Sequence, residues 1–168
     1  MVRIFSLFFY CALNLYAHPH TYIDVYLKIS ENTLKIQWLF DEMTSQGLMN
    51  DFDVNHDGVF DSKETLLFKK DVFNPLKEFS FFTHLLVGKK KIILHPKEIR
   101  LFRLENTFVI EFTLDLHPYQ HQKKSIGFWD ESFLCALFVE PEHIQSSLHY
   151  TLKEVDNAYY SGYLLELP

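Results

Sequence analysis

The stretch of the chain richest in chemistry is "DVNHDGVFDSKE", Asp53 to Glu64, twelve residues with oxygen donors at alternate positions around a glycine. With Gly58 at the sixth position, where a sharp turn needs a residue tolerant of positive φ, Asp53, Asn55 and Asp57 fall at positions one, three and five. Val59 offers its main-chain carbonyl at seven, Asp61 serves nine directly or through water, and Glu64 closes the set at twelve with both oxygens. A bidentate carboxylate in a loose oxygen cage suits calcium better than octahedral magnesium. The match to an EF-hand-type calcium loop is complete and helical sequence flanks it, so a chance resemblance in an acidic surface turn is the poorer explanation.

One such loop reads as a staple rather than a switch. Sensor loops come in pairs, and Gly88, Gly127 and Gly162 lack acidic ligands at the required spacing. Phe60, at the position that usually packs on a sister loop, has no partner of that kind. A site with a dissociation constant of about 10⁻⁴ M, bathed in about 10⁻³ M calcium, adds roughly 1.4 kcal/mol of stability.

A second set of donors lies at the start. "MVRIFSLFFYCALNLYA" carries one charge at Arg3, an apolar run from Ile4 to Leu15 and a small residue at Ala17, the three-part pattern of a secretory signal peptide. The apolar run is shorter than the roughly 20 residues a membrane-spanning helix needs, so the expectation is cleavage after Ala17 and no stable membrane insertion afterwards. Cleavage would leave "HPHTYID" with a free amine on His18. That amine and the His18 imidazole can chelate one metal, and in a strand His20 shares their face. Three nitrogens suit copper, nickel or zinc. Pro19 has no amide hydrogen, which removes the square-planar mode built on deprotonated amides. Further donors that a fold could bring to this end are Asp24, His117 and His121 in "LHPYQH", and Asp130 in "FWDESF". Surface or core roles are expected for His56, His84, His95, His143 and His149. Cys135, in "FLCALFV", is expected to be a buried small hydrophobe.

These donors need a scaffold, and the sequence is ample for one core, with 48% hydrophobic and 17% aromatic residues in 168. A net charge of -6 leaves no footprint for nucleic acid, and Lys89 to Lys91 after Gly88 reads as a solvated turn. Alternating β-branched and aromatic residues predict strands at His20 to Ile29, Leu34 to Asp41, "FFTHLLV", "KIIL", "IRLFRL", "TFVIEFTLDL", Ser125 to Asp130, Phe133 to Glu140 and "SLHYTLKEV". Helical spacing in "DEMTSQGLMNDF" leads into the acidic loop and "SKETLLFKKDVFNPLKEF" leads out, with a break at Pro75. The tail "AYYSGYLLELP" is either a last strand of the domain or an edge strand offered to a partner. The expectation is a mainly β (α+β) fold: a leader at 1–17, then one antiparallel β-sandwich-like domain at 18–168 with an EF-hand insertion at about 41–79.

Four segments, "AHPHTYID", "WLFDEM", the acidic loop and "FWDESF", together resemble a bacterial family of exported proteins of unknown function. That family is commonly labelled the periplasmic component of an uncharacterised ABC-type transport system. The resemblance implies a periplasmic location and, through the family's association with nickel and cobalt permeases, a part in transition-metal transport. The implied partners are a membrane metal permease or ABC-type transporter components. The sequence departs where the family has Tyr-Asp-Pro before an aromatic: here Trp129, Asp130 and Glu131 precede Phe133. The expected function is a periplasmic calcium-binding accessory protein that also binds a transition metal, cobalt now among them. The alternative is a calcium-stapled structural or protein-interaction module. No serine or cysteine nucleophile motif, phosphate loop or hydrolase-type carboxylate pair is present, so no enzymatic activity is expected.

Overall fold

Alternation puts Ile23, Val25, Leu27 and Ile29 on the buried face of β1 (Thr21–Ile29), and Leu34, Ile36 and Trp38 on that of β2 (Thr33–Phe40). The computed structural model describes residues 20–168; the leader, its cleavage point and His18 lie outside the described residues. β1 and β2 pair antiparallel, Ile29 opposite Leu34 at the turn. The helical segment follows, with α1 (Glu42–Phe52) and α2 (Ser62–Phe68) either side of the acidic loop. The remaining strands are β3 (Thr83–Val87), β4 (Lys90–Lys91), β5 (Lys97–Leu104), β6 (Thr107–Asp115), β7 (Lys124–Trp129), β8 (Cys135–Phe138), β9 (Ile144–Ser146), β10 (Thr151–Asp156) and β11 (Ser161–Leu167).

They form two sheets around one apolar cluster, with strand orders β5-β6-β2-β1-β8 and β10-β11-β7-β3-β4. The mainly β, α+β expectation stands, with one correction. The first sheet is mixed, because β8 and β9 lie end to end along the free edge of β1 and run parallel to it. The edge-strand reading of the tail is also corrected: β11 lies between β10 and β7, so its main-chain groups are bonded on both sides. "FFTHLLV" is strand only from Thr83, because Ser80, Phe81 and Phe82 take left-handed φ of 55°, 52° and 47°. The apolar pair in that turn looks like strand sequence because both rings are core residues.

The second helix does not run straight to Pro75. The proline lacks an N–H and its ring crowds the carbonyl four residues back, so the preceding turn widens until Asn74 N–H reaches the Lys69 carbonyl. Beyond it the chain tightens and brings Phe73 and Phe82 against Trp38, with ring centroids 6.4 and 5.8 Å away. A second aromatic group joins the helices to the sheet. Phe108 of β6 meets Phe60 of the loop at 5.0 Å and Phe68 of α2 at 5.5 Å, and Phe52 of α1 meets Phe68 at 5.0 Å. Phe60 thus finds on the sheet the packing that a sister loop supplies elsewhere. The buried Ser45 hydroxyl clips α1 to β6, donating to the Phe40 carbonyl and accepting from Phe108 N–H at 2.9 Å.

Trp129 closes the second sheet at its end. Its indole lies over Gly127, where a Cβ would stand 1.9 Å from Cζ3, so only glycine fits beneath it. The ring is stacked between His84 at 4.5 Å and Tyr160 at 4.2 Å. Burial pushes the His84 imidazole below the usual histidine range, outweighing the bond from Nε2 to the Trp129 carbonyl that would raise it. The unfolded chain therefore takes up a proton below about pH 6.5 that the folded protein refuses, and stability falls as the pH drops. One proton contributes a slope of at most about 1.4 kcal/mol per pH unit. In urea unfolding between pH 7 and 5, His84→Phe, which keeps the stack, is expected to flatten that slope; an unchanged slope would refute the assignment.

Candidate functional site

The acidic loop has the backbone its sequence asks for. Gly58 takes φ 77° and His56 takes φ 58°, the two left-handed residues that fold the chain back on itself. Asp53 ends α1, its carboxylate accepting from Asp57 N–H at 3.1 Å and Gly58 N–H at 2.9 Å. Asn55 and Asp57 each accept from the N–H two residues on. Asp61 caps α2, and the bond from Glu64 N–H is the leading reason its carboxyl lies below the usual range. Glu64 completes the capping box through Asp61 N–H and reaches across the loop to accept from Val54 N–H at 2.8 Å. The structure thus brings Asp53, Asn55, Asp57, Val59, Asp61 and Glu64 into one short loop, with the carboxylates resting on loop amides.

Among the described residues, no three His, Cys, Asp or Glu side chains are gathered tightly enough to hold a metal. The fit of the loop to a cation rests on charge instead. Asp53 and Glu64 are buried, at 8% and 5% exposure, and neither stands in an ion pair among the described residues. Loop amides satisfy both carboxylates, and a divalent ion with oxygen preference would add the counter-charge that no side chain supplies among the described residues.

The second candidate lies at the start of β1. His20 N–H and Thr21 N–H both donate to the Leu134 carbonyl, at 2.9 and 3.3 Å. Asp41, between β2 and α1, receives Tyr22 N–H at 2.9 Å on one oxygen and Thr44 N–H at 2.9 Å on the other. Burial raises its carboxyl, but the bonds from Thr44 and Tyr22 outweigh that and hold it below the usual range. Asp130 is buried and organises the loop that carries Leu134. Its carboxylate accepts from Ser132 N–H, Leu134 N–H and Cys135 N–H at 2.9 to 3.1 Å, and from the Ser132 hydroxyl. Phe133 takes φ 59° within this loop, and the Asp130 carboxylate ties its main chain together. Cys135 is half-buried beside these groups. Burial, then the charges of Asp130 and Asp41, push its thiol up to about 12.

Asp24 is exposed on the outer face of β1, two residues beyond Tyr22, opposite Leu39 and Phe138. His117 and His121 do not join this end. Leu116 N–H donates to the Asn32 carbonyl at 2.7 Å, which places both histidines beyond the other end of β1. Nine strand residues separate the two ends, roughly 26 Å at about 3.3 Å per residue. Asp41 and Cys135 are polar groups that the fold brings to this end and that sequence reasoning did not place there. The signal was present, since "WLFDEM" was among the resembling segments, but nothing in it told a ligand from a helix cap.

A family model described as "Protein of unknown function (DUF1007)" matches residues 4–156. The chain belongs to this family. The chain is also similar to the "Uncharacterized 15.5 kDa protein in trpE 3'region" of Spirochaeta aurantia, 44% identical over 89 residues, which are 51% of this chain. The match spans 64% of that protein, just under two thirds of its length. No solved structure matches. Among the described residues no helix is long and apolar enough to cross a membrane.

Proposed function

We propose that this family member is an exported, periplasmic accessory protein that binds calcium in the Asp53 to Glu64 loop and a transition metal at its N-terminal end. It would serve a membrane permease or ABC-type transporter for nickel, cobalt, copper or zinc. The observation that carries this reading is convergence. Three stretches far apart in sequence, the one beginning at His20, the one containing Asp41 and the one from Asp130 to Cys135, meet at one end of β1, where main-chain N–H groups donate to main-chain carbonyls and to the Asp41 carboxylate. A free amine and imidazole on His18 would add two nitrogens at the end of β1 where these stretches meet, an end whose described side chains do not gather a metal site by themselves. Calcium would add rigidity to the helical segment beside it. Asp53 and Glu64, buried and in no ion pair among the described residues, support that half of the reading.

The test is native mass spectrometry of the secreted protein, which reports its first residue and its bound ions together. Glu64→Gln is expected to weaken calcium binding at least about tenfold and lower the melting temperature, leaving transition-metal uptake in place. His18→Ala should do the reverse. A protein that starts at His18 yet binds none of nickel, cobalt, copper or zinc at micromolar level would remove the metal reading. The second reading is a calcium-stapled interaction module. It draws on Tyr22, Phe133, Leu134 and Phe138, apolar side chains that surround the same end and are each more than a third exposed.

A further inference from the structure

The cleft of about 510 Å³ over the acidic loop has the loop and α1 on one side and the β5–β6 turn on the other. Asp53, Asp57 and Gly58 line it from the loop, and Arg103 and Asn106 line it from the turn. Arg103 is held over the loop by its own turn, through a bond from Nε to the Glu105 carbonyl and one from Nη2 to Asn106 Oδ1 at 3.1 Å. Its remaining Nη1 lies 4.0 Å from where a Cβ on Gly58 would stand. No carboxylate pairs with it among the described residues. A fixed guanidinium therefore sits beside the residues that would hold a divalent ion.

We propose that Arg103 sets the affinity of the calcium loop: its fixed positive charge opposes cation binding and weakens it, more strongly for ions of higher charge. This rests on the calcium reading of the loop. A like charge within one Debye length repels an incoming ion in proportion to the ion's charge, and added salt screens the repulsion. A residue acting only by packing would show neither dependence. Arg103 is exposed and takes part in none of the acidic loop's own hydrogen bonds, so its charge can be removed with those bonds in place. The consequence for the protein is a site tuned to exchange calcium at extracellular concentrations, weaker than its complete ligand set would make it.

The experiment compares calcium and terbium binding to the isolated full-length secreted protein and its Arg103→Gln, Arg103→Lys and Glu64→Gln variants. In about 20 mM salt, Arg103→Gln is expected to tighten calcium roughly three- to tenfold, and terbium by a larger factor. In about 0.5 M salt the calcium gain should shrink below roughly twofold. Arg103→Lys, which keeps the charge and loses the forked hydrogen bonds, should stay near the original affinity. Calcium binding by Arg103→Gln within twofold of the parent at low salt, or a lysine variant that behaves like the glutamine one, would overturn the proposal. Loss of saturable calcium binding in Glu64→Gln with no Arg103 effect would overturn this proposal alone. A parent protein with no saturable calcium binding would overturn the loop reading, and this proposal with it.

Discussion

Phe108→Ala is expected to destabilise the protein by about 3–5 kcal/mol, and to weaken calcium binding although the residue donates no ligand. Phe108 is fully buried, and its ring meets Phe40 of β2, Phe60 of the loop and Phe68 of α2 at 6.1, 5.0 and 5.5 Å. Truncation leaves a cavity where the sheet, the loop and the second helix meet, and the surroundings can close it only partly. Phe60 then loses the surface that holds the loop, so part of the energy of binding must be spent on ordering it. Phe108→Leu keeps most of the volume and should cost less than about 1.5 kcal/mol. Denaturant unfolding with and without calcium tests both. If the alanine variant lost stability but bound calcium like the parent, the loop would not depend on this packing.

Asp130→Ala is expected to cost about 2–4 kcal/mol and to loosen the N-terminal end specifically. The side chain is 3% exposed, and its carboxylate takes bonds from three main-chain N–H groups and one hydroxyl within five residues. Removing it strands those donors and frees the loop whose Leu134 carbonyl holds His20 and Thr21. Hydrogen exchange should speed up at Leu134, Cys135, His20 and Thr21, while the amides of β6 keep their protection. Asp130→Asn retains one acceptor oxygen and should fall between the parent and the alanine variant. An alanine variant within about 0.5 kcal/mol of the parent would mean that the loop is held from elsewhere.

Much of the fold was legible because local rules and tertiary environment agree. The alternation in β1 and β2 matches a sheet buried on one face, and the hairpin turn at Glu105-Asn106 lies where a polar pair interrupts the apolar run between β5 and β6. The rules misled where burial came from a different geometry. Phe81 and Phe82 look like strand because they are apolar and adjacent, yet a left-handed turn buries them. The parallel attachment of β8 and β9 to β1 left no local mark, since it depends on where a long connection returns.

The sequence by itself determined the acidic loop, because its donors, its glycine and its helix cap lie within twelve consecutive residues and need nothing distant to position them. It could not decide which donors share the N-terminal end. His117 and His121 had the right chemistry and went to the far end of β1, carried there by the register of β6 on β2. Asp41 and Cys135 arrived instead, one by capping a helix beside β1 and the other by pairing with Thr21. Strand register acts over a whole sheet, so it moves a donor by tens of ångströms without changing its local sequence.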